Sequence, residues 1–560
     1  MAVAVAALLK QYQALKSQRA PWEPDWRDLA TYILPRKRSA IGQRPAPGEK
    51  ITQRLFDSTA IHANTLLAAA MQGSLTSAAF RWFRLRMRDD ALTQDSEVAV
   101  WLEDTAARTY AALQQSNWTP ELFEVYLDLG AMGTGAMLIV ERDDLPPGRW
   151  RGLLCRAIPI GTYCLAEDGL GRVNTLYYTL ELSAAAAVER WGRDAVGPKI
   201  AKLAESRPSD LVEIIHSVFP RVDGIYGGPR GRKPWASVYL AEADKTLIEE
   251  GGYDAFPFVV PRWTKASGEV YGRGQGHTAL PDIRTLNKMT ELELRAIAKA
   301  IDPPLLTKHH GVIGAIRLTP GAVTTTRDDP RTSLVPLESG AKFQVGQIKS
   351  EQLKVAIRDM FFNSQLTFPA QQPMTATEIE RRYELMHRVL GPTLGRLEYE
   401  LTIPAIERTV RLLWTRGALR PPPPILVEAA QQDGADIDIL AEGPLARAQK
   451  GSEALAIERY FQLALPLSQV EPSILDLTDF DEAARAVADA TGVPAKVLRS
   501  PAAVAALRAQ RQEADAQAAA MAQVQQLAQG ARNVAPLLKA VAPQGLAPEA
   551  SAAPSTAAAA

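Results

Sequence analysis

One stretch limits what this chain can fold into more than any other. It opens with "YGRGQGHTALPDIRTLNKM" at Tyr271 and runs to the double proline after Asp302. Gly272, Gly274 and Gly276 alternate, and then Leu280, Ile283, Leu286, Met289, Leu292 and Ile297 follow at mostly three-residue spacing. That period predicts a helix with one apolar stripe. Pro281 suits its first turn. Asp302-Pro303-Pro304 stops it, because proline restricts the residue before it and has no N–H to continue the ladder. Residues 303–346 read as short strands and turns, as in "GVIGAIRLTPGAV", and helix returns in "GQIKSEQLKVAIRDMFF". The segment is a helix, a compact β excursion and a second helix.

The glycines raise the question of a phosphate-binding loop. A Walker loop needs Lys and then Ser/Thr after its last glycine, whereas Gly276 precedes His277-Thr278. A dinucleotide fingerprint needs a strand directly before the glycines, and here "PRWTKASGEVY" separates them from "FPFVV". A second set, Gly130, Gly133 and Gly135, runs helix, glycines, strand, which is the reverse of the fingerprint order and fits close helix–strand packing. The expected role of Gly272, Gly274 and Gly276 is therefore to turn the chain sharply, with the helix start offering only a generic attraction for anions.

No catalytic constellation converges elsewhere. His62, His216, His277, His309, His310 and His387 form no HExxH pair, and "KHHG" reads as a polar turn. There is no Gly-x-Ser-x-Gly elbow. Asp476, Asp479, Asp481 and Glu482 lack calcium-loop spacing, and capping of the helix "FDEAARAV" accounts for part of that cluster. The expectation is a protein that is not an enzyme and holds no cofactor or metal.

The fold class is α+β, mainly helical, and 560 residues imply several domains. Residues 1–145 read largely helical, 150–262 β-rich, with a hairpin turning at Asp168-Gly169 and one helix, "SAAAAVERWG", among the strands. In "FRWFRLRMRDD", Phe83, Leu85 and Met87 alternate with Arg84, Arg86 and Arg88. That is a half-buried strand, and a solvated basic face is favoured over a DNA contact. Residues 375–420 predict one long kinked helix. A capping box (Thr375, Glu378) and a Met374–Ile379 staple start it, Pro392 and Pro404 bend it, and Gly417 with Pro421–Pro424 end it. Another helix starts near 444. From Pro501 an Ala-rich helix carries a thin stripe of Val504, Leu507, Met521, Val524 and Leu527, which suits either packing against its own copies or a lone exposed helix. Residues 546–560 read as a disordered tail.

Charge balances at 63 basic and 63 acidic residues, which disfavours coating nucleic acid by charge alone. The distribution is uneven: residues 1–100 hold 14 Lys/Arg against 9 Asp/Glu, and residues 421–500 hold 6 against 13. Different regions are expected to face different partners. Only Cys155 and Cys164 are present, which fits a reducing compartment. The N-terminus lacks a basic region before its short apolar run, and no stretch approaches the roughly 20 apolar residues of a membrane span.

Several segments, taken in order, resemble the portal (head-to-tail connector) proteins of short-tailed bacteriophages. They are "RAPWEPDWRDLATYILPRKR", "RLFDSTAIHANTLLAAAMQGSLTSAAFRWFRL", "PFVVPRWTKASGEVYGRGQGHTALPDIRTLNKM" and "PMTATEIERRYELMHRVLGPTLGRLEYELTIPAIERTVRLLWTRG". The resemblance covers roughly residues 10–500. It implies a dodecameric ring around a channel for double-stranded DNA at one capsid vertex, with terminase, major capsid, scaffolding and tail adaptor proteins as partners and no membrane. By segment it implies a wing over 1–270, a first stem helix over 271–302, a clip over 303–346 and a second stem helix over 347–363. A channel loop over 364–374, a wing helix over 375–420, a wing–crown connection over 421–499 and crown or barrel helices over 500–545 complete it. Arg284, Lys288, Gln365, Gln371 and Gln372 are the channel-facing candidates, and Gly272, Gly274 and Gly276 the wing-to-stem turn. Two rivals stand beside it: a soluble multi-domain enzyme using the Gly272–Gly276 loop for a nucleotide, and a shorter tail-side adaptor ring protein.

Overall fold

The computed structural model describes residues 5–41, 48–143, 150–221, 233–302, 343–366, 391–431 and 501–539, with parts of 305–336 and most of 436–499. The chain falls into two compact units. One comprises Met1–Thr93 and Glu97–Val493, the other Gln94–Ser96 and Pro494–Ala560. The architecture mixes helix and sheet. Among the described residues no helix is long and apolar enough to cross a membrane.

The first unit opens with helices α1 (Val5–Arg19), α2 (Glu23–Tyr32) and α3 (Thr59–Leu75) and strand β1 (Phe83–Met87). Helices α4 (Ser96–Gln114) and α5 (Trp118–Met132) follow. Gly133, at φ +79, ends α5, and its N–H reaches back to the carbonyls of Asp128 and Leu129, which is the usual work of a left-handed glycine cap. Strand β2 (Met137–Glu141) then forms a three-stranded antiparallel sheet with β3 (Leu153–Ala157) and, on its other edge, β9 (Phe258–Val259).

A five-stranded antiparallel meander comes next: β4 (Tyr163–Glu167), β5 (Val173–Ser183), β6 (Leu211–Pro220), β7 (Trp235–Ala241) and β8 (Thr246–Tyr253). Helices α6 (Ala184–Trp191) and α7 (Pro198–Ser206) sit between β5 and β6, and the Ser183 side chain caps α6 by accepting from the Ala186 N–H. The alternation of β6 shows why both faces of this sheet are covered. Ile214 and Val218 join the main core, while Ile215 and Phe219 point the other way, under Leu8, Tyr12 and Leu15 of α1. Tyr12 Oη lies 3.1 Å from Thr179 Oγ1, and Arg19 donates to the Tyr163 carbonyl at 2.9 Å, so α1 is tied to the sheet at its middle and at its C-terminal end.

Helix α8 (Gln275–Ile301) follows the glycines, and α9 (Phe343–Met360) packs beside it. Ser350 of α9 donates to Glu293 of α8 at 2.8 Å. Between them lie short antiparallel pairs, β10 (Leu305–Thr307) with β13 (Leu334–Pro336), and β11 (Val312–Ile313) with β12 (Thr325–Thr326). Helix α8 starts earlier than the sequence reading placed it, so Pro281 lies inside it and not in its first turn. Glycine packing at residues 272–276 sets the start, and a single missing N–H bond in the second turn is tolerated in a helix of 27 residues.

Beyond 390 the chain is helical to Leu397, passes through a π-helical turn at Glu398–Thr402, and continues as α10 (Ile403–Thr415). The π-helical turn stands just before Pro404, where the sequence predicts a bend. Pro404 cannot donate to the Glu400 carbonyl, and the Ile403 N–H reaches five residues back to Glu398. Gly417, at φ +63, closes α10, with the Ala418 N–H returning to Leu413. Strand β14 (Ile437–Ala441) pairs with β1, and helices α11 (Pro444–Ser468) and α12 (Phe480–Thr491) complete the unit. The Asp479 carboxylate caps α12 by accepting from the Asp481 and Glu482 N–H groups at 2.9 and 3.0 Å. The second unit is described by one helix, α13 (Pro501–Lys539). The capping box at Thr375, the histidines His309 and His310, and residues 546–560 lie outside the described residues.

The β1–β14 ladder joins the basic strand to the acidic segment. Arg88 of the basic strand binds Asp436 and, at 3.1 Å, Asp438 of the acidic segment. One arginine thus links the two biased regions.

Candidate functional site: a glycine junction and two buried arginines

The two glycine sets, remote in sequence, meet backbone to backbone. A Cβ built on Gly274 would lie 2.5 Å from the Leu129 carbonyl oxygen and 2.7 Å from that of Gly130. One on Gly272 would collide with the Gly133 carbonyl, and one on Gly276 with the Ala131 carbonyl. None of Gly272, Gly274 and Gly276 has a positive φ. Glycine is required here for close approach of main chains, and the turn follows from that approach. Hydrogen bonds lock the corner: the Gly272 N–H donates to Thr134 Oγ1 at 2.7 Å, the Trp263 N–H to the Gly133 carbonyl at 2.9 Å and the Gly135 N–H to the Pro261 carbonyl at 3.1 Å.

This geometry excludes the nucleotide-loop alternative. The space a phosphate would need is filled by the backbone of residues 129–133, and the Gly272 N–H is already engaged. The Gly274 N–H donates instead to His277 Nδ1 at 3.3 Å. His277 meets the ring of Trp22 edge-on, and the Arg273 guanidinium lies over that same ring. Burial chiefly, then the Arg273 charge, holds the His277 imidazole down at about 4, against the opposing pull of Asp25 and Glu269. Tyr271 is buried against Trp26 and Trp22 with ring centroids 5.1 and 5.9 Å away.

Just upstream of the junction sits Arg262, 3% exposed. Its Nε and Nη2 bind the Glu400 carboxylate in a fork, at 3.2 and 2.7 Å, and its backbone N–H adds a third bond at 2.8 Å. Nη1 binds Glu167, which also takes Lys265 at 2.5 Å. Burial works against this charge, but Glu400 and then Glu167 outweigh it and hold the guanidinium above its ordinary value. The π-helical turn is thereby fastened to the strand that enters the glycine junction.

A second buried arginine has no carboxylate within ion-pair distance among the described residues. Arg408 of α10 is 6% exposed, and its Nε and Nη1 donate only to the Ile139 and Ala255 carbonyls, both at 3.3 Å. It lies over the ring of Tyr253 at 5.4 Å, and burial draws its pKa downward. Sequence reasoning missed both arginines. A signal for Arg408 was present, because it falls on the inward stripe of α10 with Ala405, Ile406, Thr409 and Leu413.

The channel-facing candidates divide. Arg284 and Lys288 are exposed neighbours on α8, and each is already met by a carboxylate: Arg284 by Asp28, and Lys288 by Glu291 at 3.0 Å. Gln365 is exposed in a short helix, Asn363–Leu366, while Gln371 and Gln372 lie outside the described residues.

Comparison with known proteins decides the family. The family model of the bacteriophage head to tail connecting protein matches residues 5–498. The chain belongs to that family. Among relatives of this connector, the "Probable portal protein" of Bordetella phage BPP-1 is 28% identical over 541 residues, covering 95% of this chain and 94% of its own length. The "Portal protein" of Salmonella phage epsilon15 is 28% identical over 540 residues, covering 94% of each. The match to both phage proteins runs through the glycine junction, the π-helical turn and Arg408 without confinement to any one segment.

Proposed function

We propose that this connector protein is the portal of a short-tailed phage: a ring at one capsid vertex through which the genome is packaged and later ejected, and to which the tail attaches. The near-complete, collinear match to two phage portal proteins carries the reading. The ring is a dodecamer of identical chains around double-stranded DNA, and it catalyses no bond change. Terminase docks on it during packaging, the major capsid and scaffolding proteins surround it, and tail adaptor proteins follow. It resides in the virion.

The segments take the roles their order supports. Residues 1–270 form the wing, α8 and α9 the paired stem, 303–346 the clip between them, and 364–374 the channel loop. Residues 375–420 return to the wing, 421–499 connect it to the crown, and 500–545 build the crown or barrel. Arg284, Lys288, Gln365, Gln371 and Gln372 face the channel. The stem supports assembly directly. The first half of α8 is buried, through Ala279, Leu280, Ile283 and Leu286, but Leu292, Leu294, Ile297 and Ile301 are 45–79% exposed. Ile348 and Val355 of α9 are equally uncovered, at 62% and 51%. Apolar surface left open on a helix of ~40 Å is what a neighbouring copy in a closed ring covers.

Native mass measurement and negative-stain microscopy of the purified chain test this. Rings with a central hole are expected. A stable monomer that binds ATP would overturn the portal reading.

A further inference from the structure

Arg408 opens onto a cavity of about 440 Å³ between β2, β3, β5, β8 and α10. That volume lies in the ~300–1,000 Å³ range of small-molecule sites. Six cations line it, Arg156, Arg190, Lys233, Arg408, Arg411 and Arg416, against three carboxylates, Glu141, Asp143 and Asp254. Two of the pairs are closed: Arg416 with Glu141 at 2.7 Å and Lys233 with Asp254 at 3.1 Å. The remaining four arginines have no carboxylate within ion-pair distance among the described residues, although Asp254 acts on Arg408 and Glu407 on Arg411 from farther away. Arg190 rests on the rings of Trp191 and Tyr239, and Arg411 donates to the Asp254 carbonyl at 3.0 Å, so both are held at the rim.

Of the four only Arg408 is buried, and a buried charge without an ion-pair partner is costly, while the other three stand exposed at the rim. A ligand with a single carboxylate would leave this cavity positive, because six cations stand against three acids in its lining. A polyvalent phosphate supplies both the charge and the several acceptor oxygens that planar guanidinium forks bind in pairs. We propose that the cavity around Arg156, Arg190, Arg408 and Arg411 is a binding site for a polyvalent phosphate group. The same chemistry is offered by a small polyphosphate and by successive phosphates of a DNA strand. The inference does not depend on ring assembly, since every residue comes from one chain.

The test is calorimetric titration of the full-length protein, at fixed ionic strength, with sodium pyrophosphate, a short DNA duplex and an Asp/Glu-rich peptide. The double variant Arg190→Gln/Arg411→Gln is run alongside. Both side chains are exposed at the rim, so the fold is kept, and thermal unfolding checks that it is. Saturable binding of pyrophosphate, weakened about tenfold or more in the variant, is the expected result and identifies a small polyphosphate as sufficient. Binding of the duplex but not of pyrophosphate, with the same weakening, also supports the site and identifies backbone phosphates as the source. Absence of saturable binding to either, binding that the variant leaves unchanged, or a preference for the acidic peptide overturns the proposal.

Discussion

Arg262 and Arg408 are buried to nearly the same degree, at 3% and 6% exposure, and both line the cavity of about 790 Å³ beside the π-helical turn. Their surroundings are opposite. Arg262 has a forked bond to Glu400 and a second carboxylate in Glu167, whereas Arg408 has two backbone carbonyls and an aromatic ring. Burial opposes both charges, and only the carboxylates turn the Arg262 pKa upward while that of Arg408 falls. Burial alone therefore does not say what an arginine is for. Where the counter-charge is built in, the side chain fixes architecture, here the attachment of a kinked helix to the strand that feeds the glycine junction. Where it is missing, the charge stays available.

The comparison breaks first at Arg262→Met. That substitution strands Glu400, while Glu167 keeps Lys265, and should cost about 3–5 kcal/mol, seen as a lower urea midpoint with an unchanged slope. A loss below about 1 kcal/mol would mean the cluster is screened like a surface pair, and its contrast with Arg408 would dissolve.

Next in size is the pH response of the junction that Arg262 supports. The folded chain keeps His277 neutral down to about 4, whereas the unfolded chain protonates it near 6.5. Below 6.5 the unfolded state binds the extra proton, so this contribution is full above 6.5 and is lost as pH falls towards 4. The loss reaches at most about 3 kcal/mol. His277→Gln keeps an acceptor for the Gly274 N–H and removes the titration. Its stability should therefore fall less steeply than that of the wild type between pH 7 and 4, and parallel curves would show that His277 does not carry the effect. His216, held at about 3 mainly by burial, titrates in both proteins and cancels from the difference.

Gly274→Ala comes third. Its φ of −95 suits alanine, so any cost comes from pressing a methyl group against the Leu129 and Gly130 carbonyls, about 1–3 kcal/mol by thermal unfolding. Gly73→Ala on α3, with nothing within 4 Å of the new carbon, should instead stabilise by about 0.5–1 kcal/mol. If both change stability alike, backbone entropy and not close approach explains the junction glycines.

What the sequence made legible in these regions was local. The stop of α8 at Ile301, the hairpin at Asp168-Gly169 and the Asp479 cap each depend on a few adjacent residues, and each stands where the pattern put it. The glycine sets were each visible, but close helix–strand packing describes only Gly135, against Val125, while Gly130 meets Asn64 and Leu67 of α3 and Gly133 caps α5 against residues 273–274. Their mating with Gly272, Gly274 and Gly276 was not visible, because no local period encodes which backbone a glycine will touch. The same limit hid the Arg262–Glu400 fork, whose partners are 138 positions apart, and the Arg88–Asp436 pair, 348 apart. Pro281 misled for the opposite reason: a sound local rule was overridden by tertiary packing that began the helix at Gln275.

Arg408→Met is the smallest expected effect and the one that separates the two arginines most cleanly. The substitution removes two hydrogen bonds at 3.3 Å, beyond the ~2.7–3.2 Å of strong N–H···O bonds, and one contact with the Tyr253 ring. It also removes a buried charge that no carboxylate pairs at ion-pair distance among the described residues, and apolar replacement of such a charge is often neutral or stabilising. The two terms oppose each other, so without added phosphate the unfolding midpoint should move by less than about 1 kcal/mol equivalent in either direction. With saturating pyrophosphate the wild type should gain stability, because a ligand that binds only the folded state shifts the equilibrium by mass action, and Arg408→Met should gain little or none. A destabilisation as large as that of Arg262→Met would show that two carbonyls and a ring hold a buried guanidinium as firmly as two carboxylates do. In that case the absence of a counter-charge would no longer mark Arg408 as free for a ligand.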